Sequence, residues 1–129
     1  MPNHFHLTIF EIGGKGIANY MQRVLNSYTK YFNTKYKRTG HLFQGPYQAV
    51  HIENNEQLLH LSTYIHKNPQ EIKEIGYKGL INYFWSSYQD YVVKNRWGNL
   101  LKPDIVLEQF ENSDQYNHFV KTSLAKKYK

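Results

Sequence analysis

The sequence contains no cysteine. This absence excludes disulfide bonds and thiolate zinc sites, and it leaves the seven histidines as the strong nitrogen ligands of the chain. No apolar run approaches the roughly 20 residues that a membrane-spanning helix needs, and no signal-peptide core is seen. We therefore expect a cytoplasmic protein that has no membrane partner.

Acidic residues are missing from a long stretch of the N-terminal half. None occurs between Glu11 and Glu53, whereas the same interval carries Lys15, Arg23, Lys30, Lys35, Lys37 and Arg38. The chain has a net charge of +6, and twelve tyrosines dominate its aromatic content of 16%. Cations attract phosphates and aromatic faces stack on bases, so the mixture favours single-stranded nucleic acid. A solvated basic face over a tyrosine-rich core is the alternative that composition leaves open.

The length of 129 residues and a hydrophobic content of 40% suit one folded domain. Hydrophobic periodicity predicts, in order, a strand over residues 3–11, a long helix from 16 to about 36, a strand over 46–53 and a helix from 54 or 55 to 67. We expect a later helix to open at Pro103 and Asp104, and Ser113 to cap the last one. In the segment YFWSSYQDY, we expect Phe84 and Trp85 to be core anchors and Ser86 to cap a helix.

The chain opens with MPNHFHL. Side chains alternate faces along a strand, so His4 and His6 would share one face while Phe5, Leu7 and Ile9 enter the core. Two imidazoles aimed at one point can bind a metal ion, although two exposed or locally bonded histidines are the simpler alternative.

The segment QLLHLSTYIHKNP predicts an amphipathic helix with unequal faces. Leu58, Leu61 and Ile65 cluster on the side that we expect to be buried. Tyr64 lies in a neighbouring polar stripe, and Asn68 follows one turn later, where its amide can reach the same place as the tyrosine hydroxyl. This pair suits a nucleophile beside an oxygen ligand for a divalent ion. A rim aromatic followed by a helix-ending asparagine is the alternative.

Four motifs together resemble a known family. They are MPNHFHL, YTKYFNTKYKRTGHLFQG, VHIENNEQLLHLSTYIHKNP and YFWSSYQDY, and in this order they cover most of the chain. The sequence resembles the IS200-like single-tyrosine transposases, also called HUH transposases, and within them it is most similar to the REP-associated tyrosine transposases.

The resemblance implies an α+β fold with an HUH-type antiparallel sheet of the ferredoxin-like, or palm, kind and packed helices. It implies one domain over residues 1–129, with a catalytic core over 1–75 and a helical C-terminal extension over 76–129. It further implies that Tyr64 attacks single-stranded DNA near hairpins, that a 5′-phosphotyrosine intermediate forms and is later rejoined, and that His4, His6 and Asn68 hold Mg²⁺ or Mn²⁺.

We expect DNA contacts from basic and polar side chains of the long helix, the following loop and the tyrosine helix. These are Arg23, Lys30, Lys35, Lys37, Arg38, His41, Gln44 and Lys67. A solvated helix face and a purely structural role of the RTGHLFQG loop are the alternatives.

Family members carry a strand, a helix and a strand before the H-hydrophobic-H strand, whereas this sequence starts immediately before that strand. We therefore expect a sheet that lacks partner strands unless a second copy fills the gap in a homodimer. Two other functions stay open: a non-catalytic DNA-binding remnant of a truncated transposase, and a structural metal-binding or interaction domain without a nucleic-acid role.

Overall fold

The computed structural model describes residues 1–124 of the protein. This part of the chain is helical. Its α-helices are α1 (Gly16–Lys35), α2 (Asn55–Lys67), α3 (Tyr88–Val92), α4 (Asp104–Leu107) and α5 (Ser113–Thr122). Short 3₁₀ turns occupy Asn68–Glu71, Leu80–Asn82 and Gly98–Leu100. Within residues 1–124, no helix is both long and apolar enough to cross a lipid bilayer.

The chain divides into two compact units. One unit comprises Leu7–His51 and contains α1. The other comprises Met1–His6 and the chain from Ile52 onward, and it contains α2 to α5. The chain on both sides of residue 75 therefore contributes to the second unit.

The core of the second unit lies among its four α-helices. Helix α5 packs against α2 and α3, and α2 also contacts α4. The fully or nearly buried apolar residues are Leu58, Leu80, Tyr88, Val106, Tyr116 and Val120. Burying such aliphatic and aromatic side chains stabilises the fold by about 1.5–3 kcal/mol each.

Local signals set the ends of α2. The side chain of Asn54 accepts a hydrogen bond of 2.8 Å from the backbone nitrogen of Gln57, as an N-cap should. At the other end, Pro69 follows directly after Asn68, and the chain continues as a 3₁₀ turn. The predicted helix from 54 or 55 to 67 is confirmed.

The buried face of α2 differs from the expected one. Leu58 is buried, but Leu61 and Ile65 are only partly buried. The buried positions next to Leu58 on the helix surface are instead polar, namely Ser62, Thr63 and His66. The helix is therefore rotated about its axis relative to the hydrophobic prediction, because a buried hydrogen-bond network takes the place of aliphatic packing.

The first unit is built on α1 and the loop that follows it. The predicted helix from 16 to about 36 is confirmed. The rings of Tyr28, Phe32, Tyr36 and Phe43 lie against one another, with centroid separations from 4.5 to 6.3 Å. Gly40, whose φ is +89°, permits the sharp turn of the loop, because side-chain-bearing residues rarely adopt this conformation.

The predicted α+β fold with an antiparallel HUH sheet is wrong, because residues 1–124 contain no strand. Alternation specifies which faces a strand would present, but a strand forms only when its backbone pairs with a neighbour. Neither 3–11 nor 46–53 has such a partner in the described chain, and the unit boundary cuts both segments, after His6 and after His51. Phe5 and Leu7, expected in the core, are 46% and 51% exposed.

Other local predictions also need correction. Phe84 and Trp85, expected as core anchors, are exposed. The cap of α5 is Asn112 rather than Ser113, since the Asn112 side chain accepts from the backbone nitrogen of Gln115. Ser87, not Ser86, occupies the N-cap position of α3; Ser86 Oγ accepts a hydrogen bond of 3.2 Å from the backbone nitrogen of Tyr88, the first residue of α3.

Candidate active site

Three rings of the predicted site lie side by side in the second unit. The His4 and His6 ring centroids are 5.2 Å apart, and those of His6 and Tyr64 are 5.5 Å apart. Both pairs meet edge to face, at interplanar angles of 80° and 69°. The structure thus brings the tyrosine expected as nucleophile next to the histidines expected as ligands, although no sheet holds them.

His4 is oriented by its neighbour. Its Nδ1 lies 2.7 Å from the side-chain oxygen of Asn3, so Nδ1 carries the proton in the neutral ring and Nε2 has an open lone pair. A hydrogen bond on one imidazole nitrogen is the usual way in which a protein orients the other nitrogen toward a metal ion. Both His4 and His6 are exposed to solvent, so an ion or a phosphate can reach them.

Asn68 lies one helical turn after Tyr64, and its backbone N–H donates to the Tyr64 carbonyl. Its side chain is buried, and Oδ1 has no hydrogen-bond partner among the described residues. A buried carbonyl oxygen without a partner costs about 1–3 kcal/mol. A water molecule or a metal ion can satisfy such an atom.

The residues expected as metal ligands are His4, His6 and Asn68, which are fewer than a divalent ion needs. The described chain has no group of three or more His, Cys, Asp or Glu side chains that could hold a metal. Two imidazoles and an amide oxygen would supply three donors and leave positions open for phosphate oxygens. His4, His6 and Asn68 are the residues that could hold Mg²⁺ or Mn²⁺ here, and the structure places the two imidazoles side by side.

Lys67 precedes Asn68 on the same helix end. Its ammonium donates a hydrogen bond of 2.7 Å to the carbonyl oxygen of Ser123, just after α5. An ammonium has three donors, so this contact fixes the side chain and leaves two donors for a phosphate. Of the predicted DNA-binding residues, Lys67 lies nearest to Tyr64 in the sequence.

The first unit carries the remaining predicted DNA contacts. Along α1, a shallow groove is lined by Ser27, Lys30, Tyr31, Thr34 and Lys35. The Lys35 ammonium lies 5.6 Å from the centroid of the Tyr31 ring, and its hydrogen bond to Tyr31 raises the pKa of Lys35. The groove therefore joins two cations to hydroxyl groups and an aromatic face, a combination that suits a nucleic-acid backbone.

The other predicted contacts differ in their surroundings. Arg23, Lys37, His41 and Gln44 are exposed. Arg38 instead serves the loop: its guanidinium donates to the Asn33 side chain at 2.8 Å and to the His41 carbonyl at 3.0 Å. The loop thus depends on Arg38 for its shape, as the structural alternative for RTGHLFQG anticipated.

A buried hydrogen-bond network around His66 has no counterpart in the sequence predictions. Ser87 Oγ lies 2.8 Å from His66 Nε2, and the Tyr116 hydroxyl lies 2.7 Å from His66 Nδ1. Tyr116 then donates to Ser62 Oγ, which donates to the carbonyl of Leu59. Every hydrogen bond of this network has one donor and one acceptor if His66 is neutral with its proton on Nδ1.

The available sequence signal for this network was weak. Ser62 and His66 are four residues apart and share a helix face, which is the spacing of side chains that can serve one cluster. Their partners Ser87 and Tyr116 are distant in the sequence, so no local pattern could have identified them.

No family model, no curated protein and no solved structure matches this chain.

Proposed function

We propose that this protein cleaves and rejoins single-stranded DNA at hairpin-associated sites, with Tyr64 as the nucleophile. The observation that carries the proposal is the contact row His4–His6–Tyr64, together with the unpartnered oxygen of Asn68 one turn beyond Tyr64. The family resemblance of the motifs supplies the substrate class. The proposal needs no sheet, only the convergence of these side chains.

In the proposed reaction, the Tyr64 oxygen attacks a backbone phosphorus. The new bond links the phenol oxygen to the 5′-phosphate, the bond to the 3′ oxygen breaks, and the phenol proton passes to water while the 3′ oxygen takes up a proton. Lys67 would hold a phosphate oxygen beside the nucleophile. A divalent ion bound at His4, His6 and Asn68 would neutralise charge on the phosphate. Reversal with another 3′-hydroxyl rejoins the strand.

The test is a covalent adduct. The protein is incubated with Mn²⁺ and a labelled single-stranded DNA that contains a hairpin, and adducts are separated on a denaturing gel. The wild type should form an adduct that Tyr64→Phe abolishes. Tyr77→Phe, a change at an exposed tyrosine in the same unit, is the matched control and should keep the adduct. An adduct that persists in Tyr64→Phe would exclude Tyr64 as the nucleophile.

Asn68→Ala tests the ligand role separately. Because a lost ligand weakens ion binding, we expect the Mn²⁺ concentration for half-maximal adduct to rise by about tenfold or more, with recovery at high Mn²⁺. A uniform loss of adduct at every Mn²⁺ concentration would assign Asn68 a structural role instead.

A second function, DNA binding without catalysis, is favoured by one observation. His4 and His6 lie in an exposed segment that forms no strand in the described chain, whereas catalysis needs side chains placed within about 0.5 Å. Retention of hairpin DNA without any adduct, with affinity falling steeply as salt rises, would support this function.

A further inference from the structure

Three large rings lie exposed on the second unit, outside the candidate active site. Phe84, Trp85 and Trp97 are 52%, 78% and 43% exposed, respectively. Phe84 contacts both indoles, with centroid separations of 4.8 Å to Trp85 and 6.1 Å to Trp97. We call this group the aromatic ledge. Exposed clusters of this kind usually mark a binding surface, because a lone soluble chain gains by burying such rings.

Arg96 contacts two rings of the aromatic ledge. Its guanidinium carbon lies 5.1 Å from the Phe84 ring centroid and 5.5 Å from that of Trp97. The same guanidinium forms a bidentate pair with Asp90, at 2.9 and 2.8 Å, and donates to the Ser86 carbonyl. Since the Asp90 side chain is fully buried, the ion pair anchors the guanidinium to the core. The rings of Phe84 and Trp97 therefore lie against an anchored guanidinium, and Trp85 packs on Phe84.

The charge around the ledge favours a polyanion. From Tyr91 to Pro103 the sequence has no acidic residue, whereas Lys94 and Lys102 are exposed there. Of the two acids that flank this stretch, Asp90 is paired with Arg96, and Asp104 is exposed directly after Pro103. Aromatic faces flanked by cations are the arrangement by which proteins hold single strands, since every base has a face that can stack.

The residue that precedes Phe84 contacts the N-terminal residue of the chain. The amino nitrogen of Met1 lies 3.5 Å from the hydroxyl oxygen of Tyr83, the residue before Phe84. The segment that carries His4 and His6 therefore starts at a contact with the residue that precedes the ledge in the sequence.

We propose that the aromatic ledge binds unpaired bases of single-stranded DNA by stacking on Trp85, with Phe84 and Trp97 as its support. This inference rests on the proposed function in that DNA is the ligand, but it does not depend on cleavage.

The chain offers a direct optical test, because both of its tryptophans belong to the ledge. Tryptophan fluorescence is followed during titration with an oligothymidine of about 16 nucleotides, and separately with an abasic oligomer of equal length and charge. Binding is measured in parallel by the anisotropy of a labelled oligothymidine. We expect oligothymidine to quench the fluorescence and the abasic oligomer to leave it almost unchanged.

Two variants complete the test. Trp85→Ala should weaken oligothymidine binding by about tenfold, the value expected for a lost base stack. Leu100→Ala, which removes an exposed apolar side chain from the neighbouring loop, should bind as the wild type does. Tyr64→Phe should keep the quenching and lose the adduct, so that failure of the ledge and failure of the catalytic proposal are distinguishable.

The other outcomes overturn the ledge proposal. Anisotropy that shows binding without quenching would place the DNA elsewhere, and equal quenching by the abasic oligomer would leave only a phosphate contact. Quenching that increases with protein concentration in the absence of DNA would mean that a second copy of the chain covers the rings. Absence of any binding would reject both the ledge and the DNA-binding function.

Discussion

His66 should make the stability of the protein depend on pH in a defined window. The ring is 2% exposed, and burial lowers the pKa of His66 from 6.5 to about 3, against a small opposing effect of Asp90. Both ring nitrogens are already engaged with the hydroxyls of Ser87 and Tyr116. A second proton on the ring would turn the accepting nitrogen into a donor, so one hydrogen bond of the network would have to reverse. It would also place a charge in the core.

The direction in which the free energy of unfolding changes with pH follows from proton binding. Below pH 6.5 the unfolded chain takes up a proton on His66 that the folded protein does not bind, so the free energy of unfolding falls as the pH falls, down to about pH 3. At about 1.36 kcal/mol per pH unit, lowering the pH from 7.5 to 4.5 should remove about 2.7 kcal/mol through this residue alone. Asp90 adds little between pH 7.5 and pH 4.5, because its ordinary pKa of 3.8 lies below this range and the hydrogen bond from Arg96 lowers its pKa further.

Urea unfolding at pH 7.5 and pH 4.5 measures the effect. His66→Gln should be less stable than the wild type at pH 7.5, by about 1–3 kcal/mol for the disturbed network, but should lose about 2.7 kcal/mol less on acidification. His118→Gln, a change at an exposed histidine on α5, is the matched control and should keep the pH dependence of the wild type. Equal acid losses in His66→Gln and the wild type would refute the buried neutral imidazole.

Three further predictions concern the cap, the ion pair and the basic helix. Asn54→Ala removes the N-cap bond of α2 and should lower the free energy of unfolding by about 1 kcal/mol, measured by urea unfolding. Asp90→Asn removes hydrogen bonds from Arg96 to a buried carboxylate and should lower the free energy of unfolding by about 1.5–3 kcal/mol in the same assay, whereas a cost near zero would contradict the pairing. Replacing both Lys30 and Lys35 with glutamine should reduce the salt slope of single-strand affinity by about 1.4, and an unchanged slope would exclude the α1 groove from DNA contact.

The bounds of α1 and α2 were predictable because their signals are local. The cap at Asn54 and the proline after Asn68 mark the ends of α2 in the sequence itself. The rotation of α2 was not predictable. It depends on His66 finding Tyr116 and Ser87, which are 50 and 21 residues away, and such partners leave no trace in helical periodicity.

The strand predictions failed for a related reason. Residues 3–11 and 46–53 alternate as strands do, but alternation carries no information about whether a pairing strand is present. Likewise, Phe84 and Trp85 have the composition of core anchors, yet both are exposed, and Phe84 lies against the guanidinium of Arg96, which Asp90 binds. Apolar character predicts that a side chain gains from burial, but it does not say which surface will cover it.

The proximity of Tyr64 to the histidines was predictable in part, and the way in which it arises bears on function. The i, i+4 spacing places Tyr64 and Asn68 on one helix stripe whatever lies around them. The histidines reach this stripe through a segment that forms neither helix nor strand within residues 1–124, with Asn3 bonded to His4 and Tyr64 in ring contact with His6. A segment without regular structure must be ordered when a ligand binds it, and fixing a residue's backbone costs about 1–2 kcal/mol. A phosphate or a divalent ion shared by His4, His6 and Asn68 would supply that order, so the ion and the DNA should each bind more tightly when the other is present.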